Sequence, residues 1–214
     1  FTVEAWIHPA VWPMTAGHNT ITSWGQDQQN KENHFVISGS SLGHRFRSND
    51  FWIDLGEDLS LGWHHVAVVY ESDQERRLYL DGELMGSNGA SGANVYGNSD
   101  FNIGRRVSNS SEPFNGMIDQ VRISNLAIYE SSFTPDLSLQ VQGNTVGLWN
   151  FDDQNYNDAA HGHHLNRHGN ATLLVPGGVY DHYALDPGRS SDLPIRFSPA
   201  DEAVYSATLT VNSD

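Results

Sequence analysis

Six aromatic and cationic side chains stand on or beside short β-prone runs in the first part of the chain, and their types suit sugar recognition. Aromatic rings stack on the faces of pyranose sugars, while neighbouring polar groups hydrogen-bond to the sugar hydroxyl groups. The six could form one ligand-binding surface if their strands share a face of one sheet. Aromatic residues of a β-sandwich also commonly fill its core, so both interpretations stay open. The candidates are Trp6, Trp24, His34, Arg45, Arg47 and Trp52.

Paired carboxylates and clustered histidines would indicate catalysis or zinc binding, but here their spacing is unfavourable. A retaining glycosidase holds two carboxylates about 5–5.5 Å apart. Asp54 and Glu57 in FWIDLGE are three residues apart, and on a strand that spacing directs them to opposite faces. The histidines between residues 161 and 168 are dense enough for zinc, but no acid stands at a metalloprotease spacing. We therefore expect neither an enzyme nor a zinc site.

Composition excludes several classes of partner. The chain has 214 residues with 11 Lys and Arg against 26 Asp and Glu, a formal net charge of −15. Such a surface repels nucleic acid phosphates and anionic membranes and attracts divalent cations, for which the loops Asp27–Asn33 and Ser48–Asp50 are rich in oxygen atoms. Membrane insertion is also excluded, because no run approaches the ~18 apolar residues of a membrane span. The absence of cysteine excludes disulfides and thiolate metal sites, and favours a bacterial source over a vertebrate one.

Alternation of apolar and polar residues with a period of two predicts strands along the chain. The strongest signal is GWHHVAVVYESDQERRLYLDGELMGS, residues 62–87, in which Asp81-Gly82 indicates a tight hairpin turn. Phe1–Ile7 predicts another strand, which Pro9 ends, and helix is expected only as one turn within Glu130–Leu137. We therefore predict an all-β antiparallel sandwich with jelly-roll topology. The shorter predicted strands are Ile21–Trp24, His34–Ser38, Arg45–Arg47, Phe51–Leu55, Phe101–Gly104, Met117–Ser124 and Val146–Phe151.

Four stretches together resemble the laminin G-like, concanavalin A-like jelly-roll modules, to which the pentraxins are related. Besides the central WHHVAVVYE…RRLYLDGELMGS, they are FTVEAWIHP at Phe1–Pro9, FNIGRR at Phe101–Arg106 and FNGMIDQVRISNLAI at Phe114–Ile128, in the order that the family has them. The resemblance implies a two-sheet antiparallel sandwich, an extracellular location and a binding module rather than an enzyme.

The same resemblance implies positions for a calcium ion, which takes its ligands from carboxylate, amide and carbonyl oxygen atoms. Pentraxins supply half of a calcium site from an Asp-Asn pair just before a strand, the place of Glu32-Asn33 here. In the other half this chain has Arg105 and Arg106, whose charges oppose a cation. With the acidic composition, the resemblance favours a bound Ca²⁺ as cofactor without fixing its location. The candidate metal ligands are Asp27, Glu32, Asn33 and Asp119.

The character of the sequence changes after residue 175. Residues 158–173, DAAHGHHLNRHGNATL, resemble the glycine-rich final segment of the family, so residues 1–175 are predicted to form the jelly-roll domain. Leu185–Asp214 resembles the second half of hydin-like immunoglobulin-type repeats. Residues 176–214 are therefore predicted to be a linker and a partial immunoglobulin-like β segment. We expect the chain to be a piece of a longer protein with further domains.

These observations leave three functions open. The first is a noncatalytic binding or adhesion module of a large extracellular or cell-surface bacterial protein, recognising a glycan or a protein surface. The second is a structural spacer whose acidic faces keep a stalk or filament soluble. The third is a polysaccharide hydrolase, which the spacing of Asp54 and Glu57 disfavours. The sequence names no ligand, because one fold hosts many functions and binding residues lie in variable loops.

Overall fold

The structure of the chain is a computed structural model. Within the residues it describes, the elements are eleven strands and one 3₁₀ turn, Leu59–Leu61, none of them a helix long and apolar enough to cross a membrane. The chain divides into two units, Phe1–Val175 and Pro176–Asp214. The second unit, with its predicted immunoglobulin-like segment, lies outside the described residues, so the predicted domain organisation stays a prediction. The described residues are 1–90, 92–93, 100–107, 112–151, 158–167 and 171–172.

The strands pair into two antiparallel sheets. In chain order they are β1 Thr2–Pro9, β2 Met14–Gly25, β3 Glu32–Gly39, β4 Ser41–Arg45, β5 Asp50–Asp54, β6 His64–Ser72, β7 Glu75–Leu80, β8 Glu83–Asn88, β9 Asn102–Ile103, β10 Gly116–Ser124 and β11 Thr145–Trp149. One sheet has six strands in the order β11-β10-β1-β6-β7-β8, and the other has five in the order β5-β4-β3-β2-β9. The predicted all-β jelly-roll sandwich is thereby confirmed.

The turns show where sequence patterns located the strands and where they did not. The predicted hairpin at Asp81-Gly82 joins β7 to β8. The φ angle is 47° at Asp81 and 83° at Gly82, and glycine accepts such a positive angle readily. The bounds predicted for the strand Arg45–Arg47 are wrong. The observed strand, β4, ends at Arg45, because Arg47 and Ser48 adopt positive φ angles of 56° and 67° that turn the chain. The segment predicted to hold one helical turn, Glu130–Leu137, contains bends and no helix.

The core lies between the sheets, where alternate residues of each strand point inward. Full burial of one such aliphatic or aromatic side chain contributes roughly 1.5–3 kcal/mol, relative to leaving it exposed. From the six-stranded sheet the core takes Val3, Ala5, Ile7, Val66, Val68, Leu78 and Val121, and from the five-stranded sheet Ile21, Phe35, Ile37 and Leu42.

The outer face of the six-stranded sheet is covered by the segment that follows β10. Tyr129 and Phe133 of this segment stack on each other and pack on buried Tyr79 of β7. Beneath them, Glu4 is fully buried and accepts hydrogen bonds from Arg122 Nε at 2.8 Å and from the Tyr129 hydroxyl at 2.8 Å. Side chains of β1, β7 and β10 on this face therefore stabilise the covering segment.

Candidate functional site

The outer face of the five-stranded sheet carries polar and aromatic side chains. Phe35 and Ile37 of β3 point into the core, so His34, directly before Phe35, points outward. Arg45 of β4 lies opposite His34 in the ladder, and Trp52 of β5 lies opposite Gly43 on the same side. We call this group the polar face; it consists of His18, Thr20, His34, Arg45, Asp50, Trp52 and Glu112.

An aromatic platform forms one part of the polar face. The rings of His18 and Trp52 are stacked, with centroids 5.5 Å apart and planes 19° from parallel. The guanidinium carbon of Arg45 lies 5.8 Å from the centre of the indole ring. The His18 side chain is 29% exposed, and Trp52 is also partly exposed. Such a partly exposed pair of rings beside hydrogen-bonding groups can stack against the face of a sugar ring.

Arg45 connects the platform to the surrounding acids. Its Nε donates to Asp50 Oδ2 at 3.0 Å, and its Nη1 donates to His18 Nδ1 at 3.1 Å. The same Nδ1 lies 3.4 Å from Glu112 Oε1. The Nδ1 atom of His18 accepts from Arg45 when it carries no hydrogen and donates to Glu112 when it carries one, so the two contacts are alternatives.

His34 forms the floor of the polar face. Its side chain is fully buried, its Nε2 lies 2.8 Å from the Thr20 hydroxyl, and its Nδ1 has no hydrogen-bond partner among the described residues. Burial lowers the pKa of His34 to about 2, and the charges of Arg45, Arg106 and His18 act in the same direction. His34 is therefore neutral and contributes hydrogen-bonding atoms rather than charge.

Arg106 attaches the loop between β9 and β10 to this face. Its Nε and Nη2 each donate to the Glu32 carboxylate at 2.7 Å, and its Nη1 donates to Glu112 Oε1 at 3.3 Å. The hydrogen bonds to Glu32 raise the pKa of Arg106 despite its burial. Glu112 Oε2 is buried and has no hydrogen-bond partner among the described residues. An unsatisfied buried acceptor costs about 1–3 kcal/mol, which a donor group of a ligand could offset.

The four residues predicted to bind calcium do not form a cation site. Arg106 binds both oxygen atoms of Glu32 and donates to Asp27 Oδ1 at 3.1 Å, and Arg47 also contacts Asp27. Asn33 is fully buried, and Asp119 belongs to β10 in the other sheet. A guanidinium group thus holds the place that a cation would need, and these residues do not fit Ca²⁺ together. Calcium binding by the chain stays a prediction.

The residues predicted to bind a ligand are divided between three places. His34, Arg45 and Trp52 come together on the polar face, and Arg47 contacts Asp27 at its edge. Trp24 is partly buried and packs against the core beside Phe1 and Phe101, at centroid distances of 5.6 and 5.9 Å. Trp6 lies in the six-stranded sheet, where its Nε1 donates to the Asp136 carbonyl at 3.2 Å. The six residues therefore do not share one surface.

Sequence reasoning did not identify His18 and Glu112, and it named Asp50 only as part of the oxygen-rich loop Ser48–Asp50. His18 lies on β2, which begins seven residues before the predicted start at Ile21. The residues just before Ile21, Gly17–Thr20, show no alternation of apolar and polar types, so no local signal marked this part of the strand. Glu112 stands in a loop with a φ angle of 56°, and no local pattern identifies it. Its place depends on the ion pair with Arg106 and on the hydrogen bond from the Thr20 amide to its carbonyl oxygen, so only the fold brings it to the polar face.

The histidine-rich segment brings three possible metal ligands together within residues 158–167, and the expectation of no zinc site stays a prediction. The ligand atoms of Asp158, His161 and His163 lie within 4.8 Å of one another. The Asp158 carboxylate, however, accepts from the backbone amides of Ala160, His161 and His163 at 2.6–2.8 Å. Asp158 therefore stabilises a turn. His168 lies outside the described residues.

The two acids considered for hydrolysis are exposed at the end of β5. Asp54 accepts from the backbone amide of Gly56 at 3.3 Å, and Glu57 lies in the following exposed stretch. Asp54 is the last residue of β5 and lies on the same side as Trp52, whereas Glu57 follows the strand, so the two acids are not paired on one strand. We therefore assign no catalytic role to either carboxylate.

Comparisons with solved structures give several similar folds, whereas no curated protein matches the chain. A predicted carbohydrate-binding protein from Bacteroides ovatus ATCC 8483 has a TM-score of 0.58 and 20% identity, over 74% of this chain and 48% of that one, so the chain spans about half of its length. The Ruminococcus gnavus IT-sialidase CBM40 bound to alpha2,3 sialyllactose has a TM-score of 0.44 and 15% identity over 54% and 70% of the two chains. The heptameric SAP-like pentraxin from Limulus polyphemus has a TM-score of 0.44 and 18% identity over 60% and 64%.

A family model provides the assignment. The model described as the concanavalin A-like lectin/glucanases superfamily, with the laminin G name, matches residues 1–132. That range contains the strands β1 to β10 and all residues of the polar face. The match ends before residues 185–214, so their resemblance to hydin-like repeats has no support from it. The chain belongs to the concanavalin A-like lectin/glucanases superfamily.

Proposed function

We propose that the chain is a noncatalytic glycan-binding module of a larger extracellular or cell-surface bacterial protein, and that the polar face is its binding surface. The observation that carries this proposal is the stacked pair of His18 and Trp52, which lies beside Arg45 and Glu112. The description of the Bacteroides ovatus protein, which shares the fold, as carbohydrate-binding supports the choice of ligand.

The two sheets differ in what their outer faces offer a ligand. Tyr129 and Phe133 cover the outer face of the six-stranded sheet around Tyr79. The polar face instead presents partly exposed rings together with the charged groups of Arg45 and Asp50. Sugar-binding sites combine aromatic stacking with a few well-placed hydrogen-bonding groups. The polar face is therefore the better candidate of the two.

A glycan array with the purified chain, followed by isothermal titration calorimetry on the best sugar, tests the proposal. We expect Trp52→Ala to weaken binding at least tenfold, because it removes the platform. Trp6→Ala makes the same chemical change on the six-stranded sheet and should leave the affinity within twofold of the wild type. Thermal melting of both variants checks that each is folded.

Two outcomes would contradict the proposal. Binding that survives Trp52→Ala but is lost in Trp6→Ala would move the site to the other sheet. An array without any binding, obtained with folded protein, would favour a structural spacer or a module that recognises a protein surface.

A further inference from the structure

The arginines of the polar face and its edge are already paired with acids. Arg45 donates to Asp50 at 3.0 Å, with side chains only 15% and 28% exposed. Arg47 contacts Asp27. Arg106, which underlies the face, binds Glu32 with two hydrogen bonds of 2.7 Å. A carboxylate or sulfate group on a sugar would find only the remaining N–H donors of these guanidinium groups, beside an acid that already neutralises the positive charge.

Two atoms of the face have no hydrogen-bond partner among the described residues: His34 Nδ1, which donates or accepts according to the tautomer, and Glu112 Oε2, which only accepts. Glu112 Oε2 is buried without a hydrogen-bond partner among the described residues, while the Glu112 side chain as a whole is 21% exposed. A sugar hydroxyl group can donate to this oxygen atom once the partly exposed Glu112 side chain turns it outward. An ionised carboxylate or sulfate has no proton to donate, and Glu112 and Asp50 would repel it.

The charge of the whole chain acts in the same direction. The formal net charge of −15 repels polyanions over about one Debye length, ~8 Å at physiological ionic strength. Local pairing and long-range repulsion therefore both oppose acidic ligands, while stacking on Trp52 and His18 requires no charge on the sugar.

We propose that the polar face selects uncharged glycans over uronic, sialylated or sulfated ones, and that Glu112 accepts a hydrogen bond from a sugar hydroxyl group. This inference rests on the proposed function, because it concerns the same surface. It specifies the chemical class of the ligand and assigns a binding role to Glu112.

The test compares a neutral set of soluble polysaccharides (galactan, mannan, xylan, dextran) with an acidic set (polygalacturonate, alginate, hyaluronan, dextran sulfate), by affinity electrophoresis and calorimetry. We expect the best neutral glycan to bind at least tenfold more tightly than any acidic one. Raising the sodium chloride concentration should narrow this difference, because salt screens the repulsion.

Three variants examine the charges directly. Asp50→Asn releases Arg45 from its partner and should strengthen the binding of acidic glycans relative to neutral ones. Glu112→Gln should weaken neutral binding severalfold, because an amide oxygen is a poorer acceptor than a carboxylate. Glu57→Gln removes an exposed acid outside the polar face and should leave selectivity unchanged. Thermal melting confirms that each variant is folded.

The outcomes separate the inference from the proposed function. Tighter binding of an acidic glycan that Trp52→Ala abolishes would overturn the inference and leave the proposed function standing. Unchanged neutral binding in Glu112→Gln would overturn the role of Glu112. If no glycan of either set binds, the proposed function itself fails.

Discussion

The indole ring of Trp52 lies across the backbone of Gly43 on the neighbouring strand, where a Cβ atom would come within 2.3 Å of two carbon atoms of the ring. Only glycine leaves room for the ring in this position. We expect Gly43→Ala to displace the indole from His18 and weaken glycan binding at least tenfold. The fold should persist, because the ring can rotate towards solvent from β5, an outermost strand of its sheet.

A matched substitution shows whether the effect is local. A Cβ atom at Gly143 would meet no atom within 4 Å, so Gly143→Ala should leave binding unchanged. Near-ultraviolet circular dichroism and tryptophan fluorescence report the environment of the indole rings. Unchanged spectra and affinity in Gly43→Ala would show that the platform does not depend on this contact.

Arg76 holds the turn that joins β4 to β5. Its side chain is fully buried and donates to the carbonyl groups of His44 and Asn49 at 3.1 and 3.2 Å. Arg76→Met keeps much of the volume but leaves these acceptors without a donor. We expect the free energy of unfolding to fall by roughly 2–4 kcal/mol, measured by urea denaturation. Arg105→Met, the same change at a partly exposed arginine, should alter it by less than about 0.5 kcal/mol.

The sandwich was predictable because its signals are local. The alternation in Val66–Tyr70 and the turn residues Asp81-Gly82 act over a few positions, and both match the strands and hairpin of the structure. The side of the sheet on which Trp24 lies was not predictable. A register shift between Thr20 and Thr22 interrupts the alternation of β2, and after it Ser23, rather than Trp24, lies opposite the outward-pointing His34.

The candidate site was predictable only in part, because it depends on long-range pairing. His34, Arg45 and Trp52 stand on β3, β4 and β5, which are consecutive in the chain and adjacent in the sheet. Because consecutive strands commonly pair, the sequence could predict that these three residues lie close together. Trp6 belongs to the six-stranded sheet. The alternation of residues along β1 predicts a strand but does not show which sheet that strand joins. Glu112 reaches the face through contacts that only the fold creates: its backbone carbonyl accepts from the Thr20 amide at 3.1 Å, and its carboxylate pairs with Arg106.

Buried neutral histidines make stability depend on pH. Burial lowers the pKa of His34 to about 2 from a usual value of 6.5, and the pKa of His44 is lowered well below that value by burial and by Arg76. Below pH 6.5 the unfolded chain takes up protons that these folded histidines do not, so acid favours unfolding. Each should reduce the free energy of unfolding by about 1.4 kcal/mol per pH unit once the pH is well below 6.5.

The variant His34→Gln isolates one of these contributions. Its amide can replace the hydrogen bond to Thr20 but does not titrate, so the slope between pH 6.0 and 5.0 should be smaller than in the wild type by about 1 kcal/mol per pH unit. Urea denaturation at several pH values measures it. Equal slopes in the two proteins would show that His34 is protonated in the folded chain.

Calcium binding can be tested through the arginine that holds the predicted ligands. A calcium ion at Asp27 and Glu32 requires Arg106 to release both carboxylates. Arg106→Gln leaves the acids without this partner, so we expect millimolar calcium chloride to raise the Tm of the variant more than that of the wild type. An ion that binds only the folded state at a hundredfold excess over Kd stabilises it by about 2.7 kcal/mol.

Sodium chloride at equal ionic strength separates a site from general screening of the acidic surface. A chelator should reverse the effect of calcium in Arg106→Gln and leave the effect of sodium untouched. If sodium raises the Tm as much as calcium does, the acids are only being screened and Asp27 and Glu32 bind no ion. If calcium instead raises the Tm of the wild type as much as that of the variant, the ion binds elsewhere on the chain, because Arg106 would then have no influence on it.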